Sequence, residues 1–566
     1  MAISILYPEY LDTSSYKKLS DTSWHDLGMD LVCDKITNKT AEKTIIQTVM
    51  TQMTSIKDCA TFRMEVFEDI YHNEALQENI LKVLNQVDTL RDFMSLKRNI
   101  DKNDGIWTLT RRLKEINEYI LCIEELEKCL SNPHIHSKGL LELKAYVHQI
   151  QSASYFEQLK KDISGLKLET NKIKSVTLGV NLNEDFQASS VGIVSLNDKA
   201  FSQANVLSNF HLKLSKQDSI HQGNEWNQNY TYQTVSEDVD LTKPLENISR
   251  TFTSAANPLM GVGIGLSKIQ ENQPETNLIE YLSQVANKMM ANSVKRLKEG
   301  LSKYATIHIQ DISGLIPEFT YYILWARYLK SLSKEGYTFS KASVSNEKRM
   351  DAKGVYNLKL ASIMKVKSNE IVENDLIFDD AHTLYVLTGA NRGGKTTITQ
   401  CIGQLYVLAQ GGIYIPGQSF TFEPVDSIYT HFPADEDKTM DYGRLGEECN
   451  RFKEMYASSS KDSLILLNET FSTTAFEEGY YIASDSIRAI LHKGTRTIYN
   501  THMHKLAQDM DELNSLEGPY KAASLIVKSE NGRNSFKVEL AQGTGNSYAS
   551  DIAKKYGVTY EQLIQE

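Results

Sequence analysis

Residues 389–396 of the chain read GANRGGKT and fit the pattern GxxxxGK[ST], which is typical of a loop that binds nucleotide phosphates. Glycines let such a loop wrap around phosphates with its N–H groups pointing inward, and the following helix adds the positive end of its dipole. Lys395 is expected to reach the β- and γ-phosphates, and the Thr396 hydroxyl to bind Mg²⁺. The predicted nucleotide-binding residues are Gly389, Ala390, Asn391, Arg392, Gly393, Gly394, Lys395, Thr396 and Thr397.

The sequence around this loop alternates between short apolar strands and helices. LYVLTG enters the loop, TTITQCIGQLYVLAQ follows it as a helix, and SLILLNE and TRTIYNTH form two further strands, separated by the helical GYYIASDSIRAILHK. Strands that alternate with helices are typical of a mostly parallel sheet. From about residue 361, the sequence therefore predicts an α/β P-loop domain.

Polar residues follow the two later strands. Asn468 and Glu469 end one of them, at a place where P-loop ATPases use a carboxylate to support Mg²⁺ and a second one to polarise the attacking water. Glu469 fits the second role, and Asn468 is the candidate for the metal together with Thr396, although its amide adds no negative charge. Weakened hydrolysis and ordinary slow hydrolysis are both compatible with Asn468. His502 is the candidate γ-phosphate sensor, whereas His504 is expected to face elsewhere.

The first two thirds of the chain have a different texture. Apolar residues recur at helical spacing from about residue 38 to residue 173, strand-like alternation follows in SVTLGVNLNED and SSVGIVSLND, and helix returns from about residue 276. This order suggests a helical body interrupted by a β-rich insertion. The long helices fit a lever or stalk and equally an ordinary bundle.

Composition restricts the partners and the compartment. The net charge is −11, so any contact with nucleic acid must use local patches. The six cysteines form no CxxC pair, which is typical of reduced thiols in a cytosolic protein. Neither a signal peptide nor an apolar stretch of ~20 residues is evident. The sequence predicts a cytoplasmic protein without a membrane segment.

These motifs together resemble the MutS family of DNA mismatch-repair ATPases. TGANRGGKTT resembles the family's TGPNMGGKST, SLILLNETFSTTAFEEG its LVLMDEIGRGTSTYDG, and NTHMHKLA its ATHYFEL. GTGNSYASDIAKKYGV is similar to the family's C-terminal GAASKSYGLAVAALAGV, a helix-turn-helix that helps to join subunits. The matches occur in order over roughly residues 360–566.

The resemblance implies a homodimer in which two subunits sandwich ATP and a signature segment of one completes the site of the other. The candidate trans signature is Arg444, Leu445, Gly446 and Glu447, where Leu445 replaces the serine of the family's GRSTFMVEM. Gly446 could still present backbone N–H groups at a helix start. The family's adenine-stacking Phe corresponds to Ile371, so an aliphatic contact is expected to replace the stack.

The resemblance also implies a clamp on nucleic acid. Lys160, Lys161, Lys167, Lys172 and Lys174 lie beside the β-rich segment, where they fit phosphate contacts or a solvated helix face. The family's mismatch reader, an N-terminal domain with a Phe-x-Glu wedge, has no counterpart in this sequence. Duplex or branched DNA is therefore the expected partner rather than a mismatch, and a ribosome is the alternative.

The predicted fold is multidomain: a helical core and lever with a small β-rich insertion, followed by an ABC-like α/β P-loop ATPase domain with a C-terminal helix-turn-helix. The predicted function is ATP binding and slow hydrolysis at a dimer interface that drives a nucleic-acid clamp in DNA repair or recombination. The alternative is a nucleotide-binding scaffold with negligible hydrolysis. The predicted boundaries are 1–173 for the first part of the core and lever, 174–275 for the insertion, 276–350 for its second part, 351–540 for the ATPase domain and 541–566 for the helix-turn-helix.

Overall fold

The structure is a computed structural model of the 566-residue chain. The chain divides into two compact units: Met1–Leu84, Leu126–Val147 and Gln310–Glu566 form the first, and Asn85–Glu125 and His148–Ile309 form the second. The structure describes residues 3–8, 16–91, 105–170, 175–186, 188–197, 267–268, 287, 291–303, 314–347, 349–364, 366–379, 381–390, 392–433, 443–515, 518–530, 533–541 and 556–564.

Helices make up most of the described residues before residue 335 and alternate with strands after it. In chain order they are α1 (Asp21–Asp26), α2 (Met29–Ile36), α3 (Thr40–Thr51), α4 (Lys57–His72), α5 (Glu74–Arg91), α6 (Ile106–Leu130), α7 (Lys138–Ser152), α8 (Ser154–Thr170), α9 (Ala291–Ser302), α10 (Leu315–Lys334), α11 (Leu358–Ser362), α12 (Lys395–Gln410), α13 (Arg444–Ser458), α14 (Phe476–Lys493), α15 (His504–Gln508), α16 (Met510–Leu513) and α17 (Tyr560–Leu563).

Most strands of the described residues follow residue 335. They are β1 (Lys17–Lys18), β2 (Gln52–Met53), β3 (Ser175–Leu182), β4 (Ala188–Asn197), β5 (Ser267–Lys268), β6 (Phe339–Ser340), β7 (Ser343–Val344), β8 (Met350–Val355), β9 (Asn374–Phe378), β10 (His382–Thr388), β11 (Ile415–Pro416), β12 (Ser419–Phe422), β13 (Ile428–His431), β14 (Leu464–Asn468), β15 (Arg496–Asn500), β16 (Lys521–Glu530) and β17 (Arg533–Leu540).

A six-stranded sheet forms the centre of the first unit, in the order β13-β14-β15-β10-β16-β17. All neighbours are parallel except β16 and β17, which form an antiparallel hairpin. A second sheet, β7-β12-β8-β9, lies in the same unit. The predicted parallel α/β domain is therefore confirmed, and β10, β14 and β15 are the three strands that the sequence indicated.

The core of this domain explains why the strands read as apolar runs. Every residue of β14 is buried, since strands at the centre of a parallel sheet are covered on both faces. On one face, β10, β14 and β15 pack against buried residues of α13 and α14. Helix α12 contacts β14 and β15. Burial of α12 on nearly all sides fits its predominantly apolar sequence and fixes the loop that precedes it.

The C-terminal end of α12 is held by the helical part of the first unit. Arg63 of α4 is fully buried and donates from Nη1 to the carbonyl of Gln410 (3.0 Å). Tyr321 of α10 donates to the carbonyl of Gly411 (2.8 Å), and Gln404 of α12 donates to the carbonyl of Leu27 (2.8 Å). Because the last carbonyls of a helix lack partners within the helix, the donors from Arg63 and Tyr321 satisfy groups that would otherwise be orphaned. The helical segments of the first unit and the sheet therefore form one packed unit.

The second unit contains an antiparallel sheet, β3-β4-β5, as the alternating sequence predicted for its first two strands. Within the same unit, α8 and α9 pack together, and Leu297 and Leu301 of α9 are buried. Most of the predicted insertion, residues 198–266 and 269–275, lies outside the described residues, as does most of the predicted helix-turn-helix. The lever, insertion and helix-turn-helix therefore stay predictions. Among the helices described, none has both the length and the apolar composition needed to cross a bilayer.

Candidate nucleotide site

The loop between β10 and α12 has a backbone that requires glycine at its ends. Gly389 has φ +146° and Gly394 has φ +88°, conformations that residues with a Cβ rarely adopt. A Cβ on Gly389 would lie 2.9 Å from Cβ of Val527 on the neighbouring β16, too close for an unchanged backbone. Gly394 forms the N-terminal cap of α12, and no side chain caps this helix end. The first N–H groups of α12 therefore start at the loop, where a phosphate would accept them.

Lys395 is buried at the start of α12. Its Nζ lies 3.2 Å from the carbonyls of Gly389 and Ala390 and 3.4 Å from Nδ1 of His502. No carboxylate of the described residues forms a salt bridge with it. Burial lowers the pKa of Lys395, and the charge of Glu469 opposes that shift. A buried ammonium whose partners are mainly carbonyls suits an incoming phosphate anion.

Thr396 and Asn468 meet as the metal prediction requires. The Thr396 hydroxyl donates to Oδ1 of Asn468 at 3.0 Å, and Asn468 is buried at the end of β14. Hydroxyl and amide oxygens are hard donors of the kind that Mg²⁺ accepts, directly or through water. Asn500, at the end of β15, also donates from Nδ2 to Oδ1 of Asn468. The residues present therefore fit a Mg²⁺ site in which, among the described residues, amide groups rather than a carboxylate hydrogen-bond with Thr396.

Glu469 and His502 form the second polar pair of the site. Nε2 of His502 lies 3.0 Å from Oε1 of Glu469, and the backbone N–H of His502 donates to Oε2 at 3.2 Å. Glu469 has φ +54°, which is rare for a residue other than glycine. Such backbone strain clusters at functional sites because the surrounding structure must enforce it. The two contacts with His502 thus position the carboxylate of Glu469 just after the end of β14.

The segment after Glu469 is tied to α13. Glu448 accepts hydrogen bonds from the backbone N–H of Phe471 (2.7 Å) and from the Thr473 hydroxyl (2.8 Å). Phe471 also has a positive φ of +62°. Glu448 lies in the helix that carries the predicted trans signature. No local sequence signal pairs it with the loop after Glu469.

A cavity of about 450 Å³ joins these residues. It is lined by the loop residues Arg392 to Thr397 and Ile398, by Glu469 and His502, and by the apolar residues Ile371 and Phe536. Asn391 lies outside the described residues. The structure thus brings together Ile371, most of the predicted loop, Glu469 and His502.

The surroundings of the site include His504 and Phe536, of which Phe536 is a cavity residue that the sequence did not predict. His504 does not line the cavity, and the expectation that it faces elsewhere stays a prediction; burial lowers the pKa of its imidazole. Phe536 comes from the β17 strand, and an added Cβ on Gly394 would lie 3.2 Å from its ring. Phe536 therefore lies over the start of α12, from a segment about 140 residues further along the chain.

Asn374 fixes the backbone at Phe536 and Val538. From β9, its Nδ2 donates to the carbonyl of Phe536 (3.1 Å), and its Oδ1 accepts the N–H of Val538 (2.8 Å). Asn374 is buried and is three residues from Ile371. The Asn374 side chain thus joins β9 to the hairpin of β16 and β17, which carries Phe536. Ile371 and Phe536 both line the cavity.

A Phe536→Ala variant is expected to bind ATP about fivefold more weakly, because the half-exposed ring offers an aromatic face for the base and such contacts contribute about 1 kcal/mol. Equilibrium binding of ATP and of inorganic tripolyphosphate checks this. Tripolyphosphate affinity should be unchanged, since the ligand has no base. The matched control is Phe476→Ala, another exposed aromatic outside the cavity lining. Equal ATP affinity in Phe536→Ala and the unmodified chain would remove Phe536 from the site.

The predicted trans signature lies at the start of α13. Leu445 packs against the core of the sheet domain, Gly446 is exposed, and Glu447 is partly buried. The side chain of Arg444 lies outside the described residues. The role of these residues in trans stays a prediction.

The basic residues predicted to contact phosphate are only partly described. Nζ of Lys160 lies 2.7 Å from a carboxylate oxygen of Glu124 and 3.5 Å from one of Glu157, which neutralises much of its charge. Lys161 is exposed. Lys172, Lys174 and the side chain of Lys167 lie outside the described residues.

Comparison with known proteins gives two family matches and a set of relatives. The family model "MutS domain V" matches residues 385–565, and "MutS2 N-terminal domain" matches residues 57–334. Three proteins named "DNA mismatch repair protein MutS" are similar to the chain. The protein of Chlorobium chlorochromatii is 31% identical over 189 residues, covering 33% of this chain and 21% of the relative. Those of Shouchella clausii and Thermotoga petrophila are each 25% identical over 287 and 283 residues, covering 50% of this chain and 32% and 33% of the relative. The matched part of the chain thus corresponds to a third or less of these relatives.

Proposed function

This chain is a member of the MutS family, and we propose that it is an ATPase whose nucleotide cycle controls binding to DNA. The observation that carries the proposal is the meeting of the phosphate loop, Glu469 and His502 around one cavity at the carboxyl ends of β10, β14 and β15, with Asn468 hydrogen-bonded to the cavity residue Thr396. Ligands of open α/β sheets bind at this edge of the strands.

Each side chain has a role that fits its surroundings. The N–H groups of the loop and Lys395 bind the phosphates of ATP, and Thr396 with Asn468 holds Mg²⁺. The ion, when bound, neutralises phosphate charge. Glu469 orients the attacking water, and His502 contacts the γ-phosphate. Ile371 and Phe536 bind the base from the apolar side of the cavity.

The proposed assembly is a homodimer with two composite sites. The start of α13, with Gly446 exposed, supplies backbone N–H groups to the ATP of the partner. ATP binding then favours a closed pair of ATPase domains, and the helical segments transmit that closure to a clamp on nucleic acid. The proposal includes a role in DNA repair or recombination, in keeping with the names of the relatives.

A second candidate is a nucleotide-binding scaffold with negligible hydrolysis. It is favoured by Asn468, which gives the metal no negative charge. It is also favoured by Leu445, which has no hydroxyl to offer in trans and packs against the core. The contact between Glu469 and His502 favours the ATPase, because it orients a carboxylate at the cavity.

Steady-state ATP hydrolysis by the full chain, measured with linear duplex DNA, branched DNA, ribosomes or no ligand, tests the proposal. Hydrolysis is expected without ligand and is expected to change severalfold with a DNA ligand. Binding to DNA should weaken as salt is raised, because phosphate contacts release counterions. Turnover that responds to ribosomes and not to DNA would contradict DNA as the partner. Nucleotide binding without measurable turnover under every condition would favour the scaffold.

A further inference from the structure

Two asparagines face each other at the metal end of the site. Asn468 ends β14 and Asn500 ends β15, and the parallel register of the two strands places these residues directly opposite each other. Asn468 stands where a carboxylate is expected in P-loop ATPases, and Asn500 stands at the alanine of the ATHYFEL segment that NTHMHKLA resembles. The two departures from the family's pattern therefore occur at one point of contact.

The contact has a defined polarity. Nδ2 of Asn500 donates to Oδ1 of Asn468, and the same oxygen accepts the Thr396 hydroxyl at 3.0 Å. Nδ2 of Asn500 also lies 3.4 Å from Oγ1 of Thr396. Asn500 is fully buried, and its own Oδ1 has no hydrogen-bond partner among the described residues. The hydrogen bonds of this side chain therefore come from its NH₂ group, which points at the metal-supporting pair.

An amide at position 468 creates a problem that a carboxylate does not have. A carboxylate presents oxygen in either orientation about its last torsion, whereas an amide presents oxygen in one orientation and NH₂ in the other. An NH₂ group directed at Mg²⁺ would repel the cation. Because Nδ2 of Asn500 donates to the oxygen of Asn468, flipping Asn468 alone would bring two NH₂ groups together, which opposes the flipped orientation. In a buried site such a bond is strong enough to select one orientation.

We propose that Asn500 is a positioning residue that holds the oxygen of Asn468 toward Thr396, so that an uncharged pair supports Mg²⁺ where a carboxylate is expected. The inference rests on the proposed function, since it concerns the metal of the same site. It has a sharp consequence: Asn500 matters for Mg²⁺ only while residue 468 is an amide. If Asn500 only filled space, its replacement would have the same effect on Mg²⁺ dependence with Asn or with Asp at position 468.

The test is a double-mutant cycle of Asn500→Ala, Asn468→Asp and the double variant in the full chain. The measured quantity is the Mg²⁺ concentration that gives half-maximal binding of a fluorescent ATP analogue, with a parallel titration in EDTA. Asn500→Ala is expected to raise this concentration about fivefold to tenfold, the effect of one buried hydrogen bond. In the Asn468→Asp background the same change is expected to shift it less than twofold. Within each background, Asn500→Ala should leave the affinity in EDTA unchanged.

Equal shifts in the two backgrounds would overturn the proposal, because they would indicate a packing role. No shift from Asn500→Ala in the unmodified background would overturn it as well, as would binding by the unmodified chain that does not depend on Mg²⁺. The EDTA titration and a thermal unfolding curve show whether each variant is folded. Failure of the unmodified chain to bind the analogue at all would instead contradict the proposed function, so the two failures are distinguishable.

Discussion

A Lys395→Ala variant is expected to lose ATP binding, with an affinity at least about a hundredfold lower. The ammonium is buried beside the phosphate loop, and its partners there are the carbonyls of Gly389 and Ala390 and Nδ1 of His502. Bound phosphate would replace these dipoles with full negative charge. Truncating one member of a buried charged pair costs about 3–5 kcal/mol, which corresponds to more than two orders of magnitude in affinity.

The same variant should not lose its fold. Burial already lowers the pKa of Lys395, which means that the charged form is disfavoured in the site without nucleotide. Removing that charge is therefore expected to leave the thermal unfolding midpoint unchanged or slightly raised. Lys461→Ala, which changes an exposed lysine elsewhere in the same domain, is the matched control and should bind ATP normally. ATP affinity retained in Lys395→Ala would exclude this loop as the phosphate site.

A Glu469→Gln variant is expected to bind ATP normally and to hydrolyse it at least about a hundredfold more slowly. Removing a general base typically costs two to four orders of magnitude in rate. Glutamine keeps the shape of the side chain, and the backbone N–H of His502 can still donate to its oxygen. The loss should therefore appear in kcat while the affinity for ATP stays the same.

Two measurements on Glu469→Gln separate the competing functions. Size-exclusion chromatography with light scattering should find an ATP-bound dimer that persists in the variant and decays in the unmodified chain. Glu477→Gln, an exposed glutamate at the start of α14, is the control and should turn over ATP at the unmodified rate. Unchanged hydrolysis in Glu469→Gln would remove Glu469 from the role of base. A rate lost only in Glu469→Gln would exclude the inert scaffold.

The sequence predicted those parts of the site that each carry a local signal. The loop at residues 389–396 and the strand ends at Asn468, Glu469 and His502 carry local signals, since each strand is a short apolar run that ends in polar residues. Their assembly followed from the parallel order of β10, β14 and β15. Ile371, aligned through the resemblance, also lines the cavity.

The remaining contacts depend on pairings that local sequence does not encode. Phe536 reaches the loop because β16 adds to β10 and β17 folds back beside it, which fixes a register that no nearby motif specifies. Glu448 reaches the segment after Glu469 from a different helix. Asn500 reads as an ordinary strand residue until β15 pairs with β14. Tertiary geometry thus supplies the residues that orient the site, whereas sequence motifs supply those that define its chemistry.

The most direct test of the nucleotide site is isothermal titration of the purified full chain with a non-hydrolysable ATP analogue in the presence of Mg²⁺. One analogue is expected to bind per chain, with an affinity that falls in EDTA and is lost in Lys395→Ala. Absence of binding to the unmodified chain, or binding that survives Lys395→Ala unchanged, would contradict the account.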